Sequence, residues 1–250
     1  MSAIKSALQA VRTRIEAAAT AAGRHPWDIE LVAVSKTFSA AAVAEAVHCG
    51  QRVFGENYAQ EGVAKMLAVR DLLAPLPEPL VWHFIGPIQS NKTRLIAEHF
   101  DWVQSVDRLN VAQRLSQQRP RQLPELQLCI QVNISGERTK HGVEPGAVAE
   151  LARQICALPH VRLRGLMAIP EPSADPSRAR QQLRALRELK DSLQDVPNAL
   201  DTLSMGMSDD LEAAIAEGAT MVRIGRAIFG ERAPAAAVDP AEPGDYSGAC

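Results

Sequence analysis

The sequence predicts an α/β protein in which a parallel sheet closes into a (β/α)8, or TIM, barrel. Short apolar runs recur about eight times along the chain, and amphipathic or alanine-rich segments separate them. Repeated alternation of strand and helix builds a parallel sheet. The chain has 250 residues, a length that favours eight such units closed into one barrel over an open doubly wound sheet.

The elements follow from these runs in order. An amphipathic helix within MSAIKSALQAVRTRIEAAATAAG precedes the first strand and is predicted to pack outside the barrel or across its end. The strand candidates are LVAVSK from Leu31, RVFG from Arg52, LVWHFIG from Leu80, DWVQSV from Asp101, LQLCIQVN from Leu126, RLRGLMAI from Arg162, LDTLSMG from Leu200 and MVRIG from Met221. The helices predicted between them include Ala40–Cys49, Ala59–Leu73, Arg108–Gln118, Gly146–Leu158, Arg178–Gln194 and Ser208–Glu217.

One domain is expected over residues 1–231. The loops APLPEP (Ala74–Pro79) and IPEPSADP (Ile169–Pro176) are too short to link two domains. Residues 232–250 are rich in proline and alanine and are predicted to be a flexible tail, with no second domain. Aromatic residues make up only 4% of the chain and hydrophobic residues 46%, so the core must consist mostly of Ala, Val, Leu and Ile.

Charge and cysteine content narrow the class of protein. The net charge is −2 and acidic and basic residues are interleaved, so neither nucleic-acid nor membrane-surface binding is indicated. No run is long enough to span a bilayer, and the amino terminus lacks the features of a signal peptide. The four cysteines have no zinc-type spacing, so no metal site is predicted. A reducing cytoplasm is the expected location.

The position of Lys36 raises the question of function. It ends the run ELVAVSK, and a lone lysine there is usually just the solvated end of a buried strand. Side chains alternate along a strand, so Val32, Val34 and Lys36 share one face. Lys36 stands at the carboxyl end, where barrel active sites form. If Val34 faces inward, the ammonium group lies in the mouth of the barrel.

Two further strands predict a polar barrel interior. Leu126, Leu128, Ile130 and Val132 form one apolar face of the fifth strand, which suits contact with helices. The opposite face, Gln127, Cys129, Gln131 and Asn133, is too polar for a purely structural core. On the last strand Val222 and Ile224 should face the helices, so Met221 and Arg223 should face inward. A buried arginine is costly unless a group pairs with it.

The loops after the last two strands predict an anion site. Gly206 lies in a strand-to-helix turn, and either Ser208 or Asp209 is expected to cap the next helix, with Glu212 at capping-box spacing from Asp209. Gly225 directly follows the eighth strand. Barrels often hold a phosphate at these two loops, although ordinary turn glycines remain the alternative. A lysine opposite a phosphate site indicates a Schiff base with a phosphorylated cofactor or sugar aldehyde.

Six motifs carry a resemblance to a known family. They are VAVSKT (Val32–Thr37), FGENYAQE (Phe54–Glu61), WHFIGPIQSNK (Trp82–Lys92), IQVNISGERTKHG (Ile130–Gly142), LSMGMSDDLEAAI (Leu203–Ile215) and VRIGRAIFG (Val222–Gly230). In this order they strongly resemble the pyridoxal phosphate (PLP) homeostasis proteins, single-domain relatives of the alanine racemase barrel. The resemblance spans nearly the whole chain except the tail and implies a type III PLP fold.

The resemblance also implies roles for individual residues. Lys36 would hold PLP as an internal aldimine, and Arg223 would lie near the pyridine nitrogen. Phosphate contacts would come from Ser204, Gly225 and Arg226. The complete set of predicted cofactor-binding residues is Lys36, Asn57, His83, Ser204, Met205, Gly206, Arg223, Gly225 and Arg226.

Several of these roles have alternatives. His83 could contact the cofactor ring or be an ordinary packed strand histidine, and a turn alone would explain Asn57. Arg226 stands where many relatives carry a small hydroxyl residue, so its phosphate contact is either a backbone contact or a charge pair. Pro87 stands where relatives often carry histidine. Arginine does not readily give up a proton, so Arg223 would keep the pyridine nitrogen unprotonated and weaken the ring as an electron sink.

Two classes of function remain. One is a carrier that binds PLP, maintains vitamin B6 homeostasis and passes the cofactor to apoenzymes. The other is an enzyme, either a PLP-dependent amino-acid racemase or an aldolase with Lys36 as the Schiff-base lysine. Racemases of this fold take an acid/base tyrosine from a second domain, and here the only tyrosines are Tyr58 and Tyr246. The expected function is therefore the carrier, without substantial amino-acid turnover, as a monomer or weak homodimer.

Overall fold

The barrel is closed and fully parallel. The computed structural model describes residues 2–75, 78–136, 141–171, 175–197 and 200–231. Each strand pairs with its neighbour in sequence, and β8 pairs with β1, which confirms the predicted (β/α)8 barrel. The strands are β1 Glu30–Val34, β2 Val53–Glu56, β3 Val81–Phe84, β4 Trp102–Val106, β5 Leu126–Gln131, β6 Val161–Met167, β7 Thr202–Ser204 and β8 Met221–Ile224.

A helix follows each strand, and one more precedes the barrel. The helices are α1 Ala3–Ala21, α2 Ala40–His48, α3 Ala59–Leu73, α4 Thr93–His99, α5 Leu109–Gln118, α6 Val148–Cys156, α7 Pro176–Ser192, α8 Leu211–Ala216 and α9 Arg226–Phe229. Helix α1 packs against α2, α8 and α9, so its predicted place outside the barrel is confirmed. Helix α3 has the predicted bounds. Helices α2 and α5 differ from theirs by one residue at one end, and α6 and α7 by two residues at both ends.

Helix α8 begins later than predicted, and neither Ser208 nor Asp209 caps it. The capping position belongs to Asp210. Its Oδ1 accepts a hydrogen bond of 2.6 Å from the Met207 backbone N–H, so the carboxylate closes the preceding turn and does not bond the first turn of the helix. This turn leaves Ser208 and Asp209 outside the helix.

The strands direct side chains to two regions, the interior of the barrel and the core between the barrel and the helices. The outer core includes the apolar face Leu126, Leu128, Ile130 and Val132 together with Val222 and Ile224, as predicted. The inner side chains are Val32, His83, Gln104, Cys129, Ser204, Met221 and Arg223, all of which are buried. Strand β4 is not a neighbour of β7 or β8 in the sheet, so the hydrogen bonds that join Gln104 on β4 to Ser204 on β7 and Met221 on β8 cross the interior.

The described residues include no helix whose length and apolarity would let it cross a membrane. The predicted flexible tail, 232–250, lies outside the described residues.

Candidate functional site

A cavity of about 470 Å3 opens at the carboxyl ends of the strands, which is within the usual range for small-molecule sites. Lys36 and Arg223 both line it, so the predicted convergence of a lysine and an arginine on one cavity is confirmed. The full lining is Val34, Lys36, Asn57, Ile85, Ile169, Met207, Ser208, Asp209, Arg223, Gly225, Arg226 and Glu231.

A buried ionic cluster fixes the residue before Lys36. The Ser35 hydroxyl donates to Glu56 Oε1 at 2.6 Å, and Lys65 Nζ donates to the same oxygen at 2.7 Å and to the Ser35 carbonyl at 2.6 Å. Burial raises the pKa of Glu56, and the charge and hydrogen bond of Lys65 oppose that rise. The cluster therefore holds both the side chain and the carbonyl of Ser35, and Lys36 projects to the opposite side of the chain.

The residue after Lys36 is held as well. Thr37 has φ 69°, a left-handed conformation that is uncommon for residues other than glycine and costs on the order of 1–2 kcal/mol. Its N–H donates to Glu61 Oε1 at 2.6 Å, and Lys65 Nζ lies 3.0 Å from the same oxygen. Lys65 thus connects the anchors of both neighbours of Lys36.

Sequence reasoning missed this cluster. Its signal is the position of Lys65 on the buried stripe of α3, which otherwise consists of Ala59, Gly62 and Val69. A charged residue at such a position needs a buried partner.

Arg223 forms an inner wall of the cavity. It is 5% exposed, and its Nη1 donates to Ser204 Oγ at 2.6 Å while Nη2 donates to the Ala168 carbonyl at 2.9 Å. Burial lowers the pKa of Arg223 to about 10. The guanidinium therefore remains charged at neutral pH and directs a positive field into the cavity.

Below Arg223 the polar contacts continue to His83. The Ser204 hydroxyl donates to Gln104 Oε1 at 2.6 Å, and Gln104 Nε2 lies 2.7 Å from His83 Nδ1. The His83 ring stacks on Trp102, with centroids 5.1 Å apart. Burial lowers the pKa of His83 to about 3, so this imidazole is neutral at physiological pH.

Asn57 lies between β2 and α3 and also lines the cavity. Its backbone is fixed by Gly86, where an added Cβ would stand 2.1 Å from the Asn57 carbonyl oxygen. The Asn57 Oδ1 atom is buried and has no hydrogen-bond partner among the residues that the structure describes. Since buried acceptors are normally satisfied, this atom marks a position where a bound molecule can donate a hydrogen bond.

The loops after β7 and β8 form the remaining polar wall. Gly206 has φ 98° and turns the chain, after which Ser208 and Asp209 reach the cavity. Gly225 sits against β1, and an added Cβ would stand 3.2 Å from the Val34 carbonyl oxygen. The Arg226 guanidinium lies 3.3 Å from Asp209 Oδ2, and both side chains are exposed.

Four predicted cofactor contacts do not line the cavity. Ser204 is fully buried, with its hydroxyl between Arg223 and Gln104, and Ser208 is the serine that lines the cavity. The Met205 side chain packs into the outer core, and Gly206 serves as a turn. His83 is 0% exposed, as expected of a packed strand histidine.

Comparison with known proteins agrees with this geometry. The barrel is of the class that forms the amino-terminal domain of alanine racemases, because the family model described as "Alanine racemase, N-terminal domain" matches residues 6–233. The pyridoxal phosphate homeostasis protein of Pseudomonas aeruginosa is 58% identical over 232 residues, 93% of this chain and 97% of that protein. The chain belongs to the pyridoxal phosphate homeostasis protein family.

Two solved structures with different degrees of sequence identity resemble this barrel. The structure of PipY from Synechococcus elongatus, described as having PLP bound, has a TM-score of 0.79 and 36% identity and covers 91% of this chain and 100% of PipY. Alanine racemase from Corynebacterium glutamicum has a TM-score of 0.61 and 16% identity, covering 91% of this chain and 62% of the racemase. The second likeness concerns the fold alone.

Proposed function

We propose that the protein binds PLP in the mouth of the barrel, attached through Lys36, and maintains the cellular supply of this cofactor. The observation that carries the proposal is the convergence of Lys36 and the buried, charged Arg223 on one cavity of about 470 Å3. Family membership and the PLP-bound relative PipY support it.

The residues of the cavity fit this cofactor. PLP supplies an aldehyde that a lysine amine can capture reversibly. Lys36 is the amine on the cavity wall, and the unpartnered Asn57 Oδ1 is an acceptor for a polar group of the ring. The Ser208 hydroxyl, the Gly225–Arg226 backbone and the Arg226 guanidinium are the candidate donors to the phosphate. These assignments move the serine contact from Ser204 to Ser208.

Arg223 favours holding the cofactor over catalysis on it. Its guanidinium is charged and its Nη1 and Nη2 donate to Ser204 and Ala168, so it can offer a further N–H to the ring nitrogen but no readily transferable proton. A ring whose nitrogen stays unprotonated withdraws few electrons. Proton removal at the α-carbon of a bound amino acid is then unfavourable.

The racemase alternative needs acid/base groups on both faces of a bound amino acid. None of the described residues that line the cavity is a tyrosine. Tyr58 is 56% exposed and belongs to a neighbouring pocket, and Tyr246 lies outside the described residues. We therefore favour reversible capture of PLP, release to PLP-dependent apoenzymes and no robust turnover.

The setting we propose is the cytoplasm, with the protein as a monomer or weak homodimer. Cys49 and Cys129 form no disulfide within the part of the chain that the structure describes, which suits a reducing compartment.

Incubation of the PLP-loaded protein with each L-amino acid in deuterated water tests this function. We expect a yellow protein that donates its cofactor to an apo-transaminase, while NMR shows the α-protons of the amino acids intact. Exchange or racemisation at enzyme-like rates, on the order of 1 per second or faster, would instead establish a racemase.

A further inference from the structure

A continuous line of side-chain hydrogen bonds crosses the barrel interior under the cavity. It runs from Arg223 on β8 to Ser204 on β7, then across to Gln104 on β4 and on to His83 on β3. All four side chains are at least 95% buried: Arg223 is 5% exposed and the other three are 0% exposed. Only the first of them lines the cavity.

The chemistry of the donors gives this line one direction. Arginine can only donate, so Ser204 Oγ must accept from Arg223 and its single O–H must point to Gln104 Oε1. With its oxygen used, Gln104 presents its NH2 group to His83 Nδ1 and to Met221 Sδ, which lies 2.9 Å away. With the Gln104 NH2 group facing it, His83 Nδ1 accepts, which makes His83 a neutral imidazole with its proton on Nε2, a buried atom that has no hydrogen-bond partner among the described residues.

We propose that Gln104 is the positioning residue for Arg223, acting through Ser204 to hold the guanidinium in the orientation that faces the bound cofactor. This inference deepens the proposed function and rests on it. Of the described polar contacts of Arg223, the Ala168 carbonyl fixes Nη2 and Ser204 fixes Nη1. Gln104 is what orients the Ser204 hydroxyl away from Arg223, so that the oxygen lone pairs stay available to the guanidinium.

The consequence concerns the electronic state of the cofactor. A guanidinium held beside the pyridine nitrogen keeps that nitrogen unprotonated, whereas a guanidinium that turns away leaves the nitrogen free to take up a proton as the pH falls. Gln104 does not touch the cavity, so its effect reaches the cofactor only through Ser204 and Arg223.

The visible spectrum of the PLP-loaded protein as a function of pH measures this effect. In Gln104→Leu and in Ser204→Ala we expect a new pH-dependent change in the cofactor band that wild type lacks, and roughly tenfold weaker PLP binding, because a charge-assisted hydrogen bond is lost or misdirected. Gln127→Leu is the matched control: this β5 glutamine bonds Arg164 and the Glu125 carbonyl, outside the line, and should keep the wild-type spectrum.

The protein without cofactor gives an independent readout. In wild type, 15N NMR of His83 should show a neutral imidazole at pH 5 with its proton on Nε2. In Gln104→Leu both neutral tautomers should be populated. A wild-type His83 that carries its proton on Nδ1, or that titrates near 6.5, overturns the proposal. The proposal is also overturned if a folded Gln104→Leu or Ser204→Ala variant shows the same pH dependence of the cofactor band as wild type. Failure of the wild type to bind PLP would refute the proposed function, and the NMR result would still decide the direction of the line.

Discussion

At the scale of single residues, the site depends on how the chain around Lys36 is held. Ser35 is fixed by Glu56 and Lys65, and Thr37 adopts a left-handed conformation with its N–H on Glu61. Lys36 therefore leaves the end of β1 toward the cavity that Arg223 and Gly225 also line. Strand alternation depends only on neighbouring residues, so it predicted that Lys36 shares the face of Val34 and that Arg223 faces inward. That the Val34 face lines the cavity came from the structure.

The serine that we propose for the phosphate site could not be predicted in the same way. Ser204 and Ser208 stand four residues apart around a glycine turn, and the choice between them depends on Gln104, which is 100 residues away from Ser204. Gln104 has already engaged the Ser204 hydroxyl, so Ser208 is the one left at the cavity.

Substitution of Gly225 tests the phosphate wall. In Gly225→Val the added side chain meets the Val34 carbonyl and Cβ at 3.2 and 3.4 Å, so the loop must move away from β1. We expect PLP to bind at least tenfold more weakly, about 1.4 kcal/mol, and the preference for PLP over pyridoxal to shrink, as measured by absorption titration.

Gly146→Val is the control for this substitution, since an added Cβ there meets no atom within 4 Å. It should bind both compounds as wild type does. Equal affinity of wild type for pyridoxal and PLP would remove the phosphate site from these loops.

At the scale of elements, β1, β2 and α3 are tied together by one buried ion cluster. Lys65 from α3 reaches Glu56 at the end of β2 and the carbonyl of Ser35 after β1. Apolar periodicity predicted all three elements, and the bounds of α3 agree residue for residue. The predicted start of α8 was wrong, because the Asp210 side chain closes the preceding turn onto Met207. Capping-box spacing alone cannot tell which of the adjacent residues Asp209 and Asp210 lies at the start of the helix.

Removal of the Lys65 charge should loosen these elements. Lys65→Met leaves the Glu56 carboxylate buried without a cation, and we expect the free energy of unfolding to fall by roughly 3–5 kcal/mol in urea titrations. Adding Glu56→Gln to the same chain should recover part of the loss, because the uncompensated charge is then gone.

The control lies on the same helix. Arg70 pairs with Asp71 at 3.5 Å, and their side chains are 67% and 73% exposed. Arg70→Met should lower the free energy of unfolding by less than about 1 kcal/mol, because exposed ion pairs contribute little. A loss of the same size in Lys65→Met and Arg70→Met would show that the buried cluster does not stabilise this part of the barrel.

At the scale of the whole molecule, barrel closure brings distant segments to one mouth. Pairing of β8 with β1 sets Arg223 beside Val32 and so places the last loop next to Lys36. The alternation of apolar runs predicted this closure, and strand parity predicted that β5 and β8 carry polar side chains inward. The pairwise contacts inside the barrel, from Arg223 to His83, include one between strands 100 residues apart, Ser204 with Gln104, and no local pattern specifies that contact.

The most direct test of the account is where PLP becomes attached. The PLP-loaded protein is reduced with borohydride, digested and mapped by mass spectrometry, with Lys36→Ala treated in parallel. We expect the pyridoxyl group on Lys36 in wild type and no stoichiometric label in the variant, even where the variant still holds cofactor through the phosphate wall. Stoichiometric label on another lysine of wild type, such as Lys92 at the neighbouring pocket or Lys140, would contradict the assignment of Lys36.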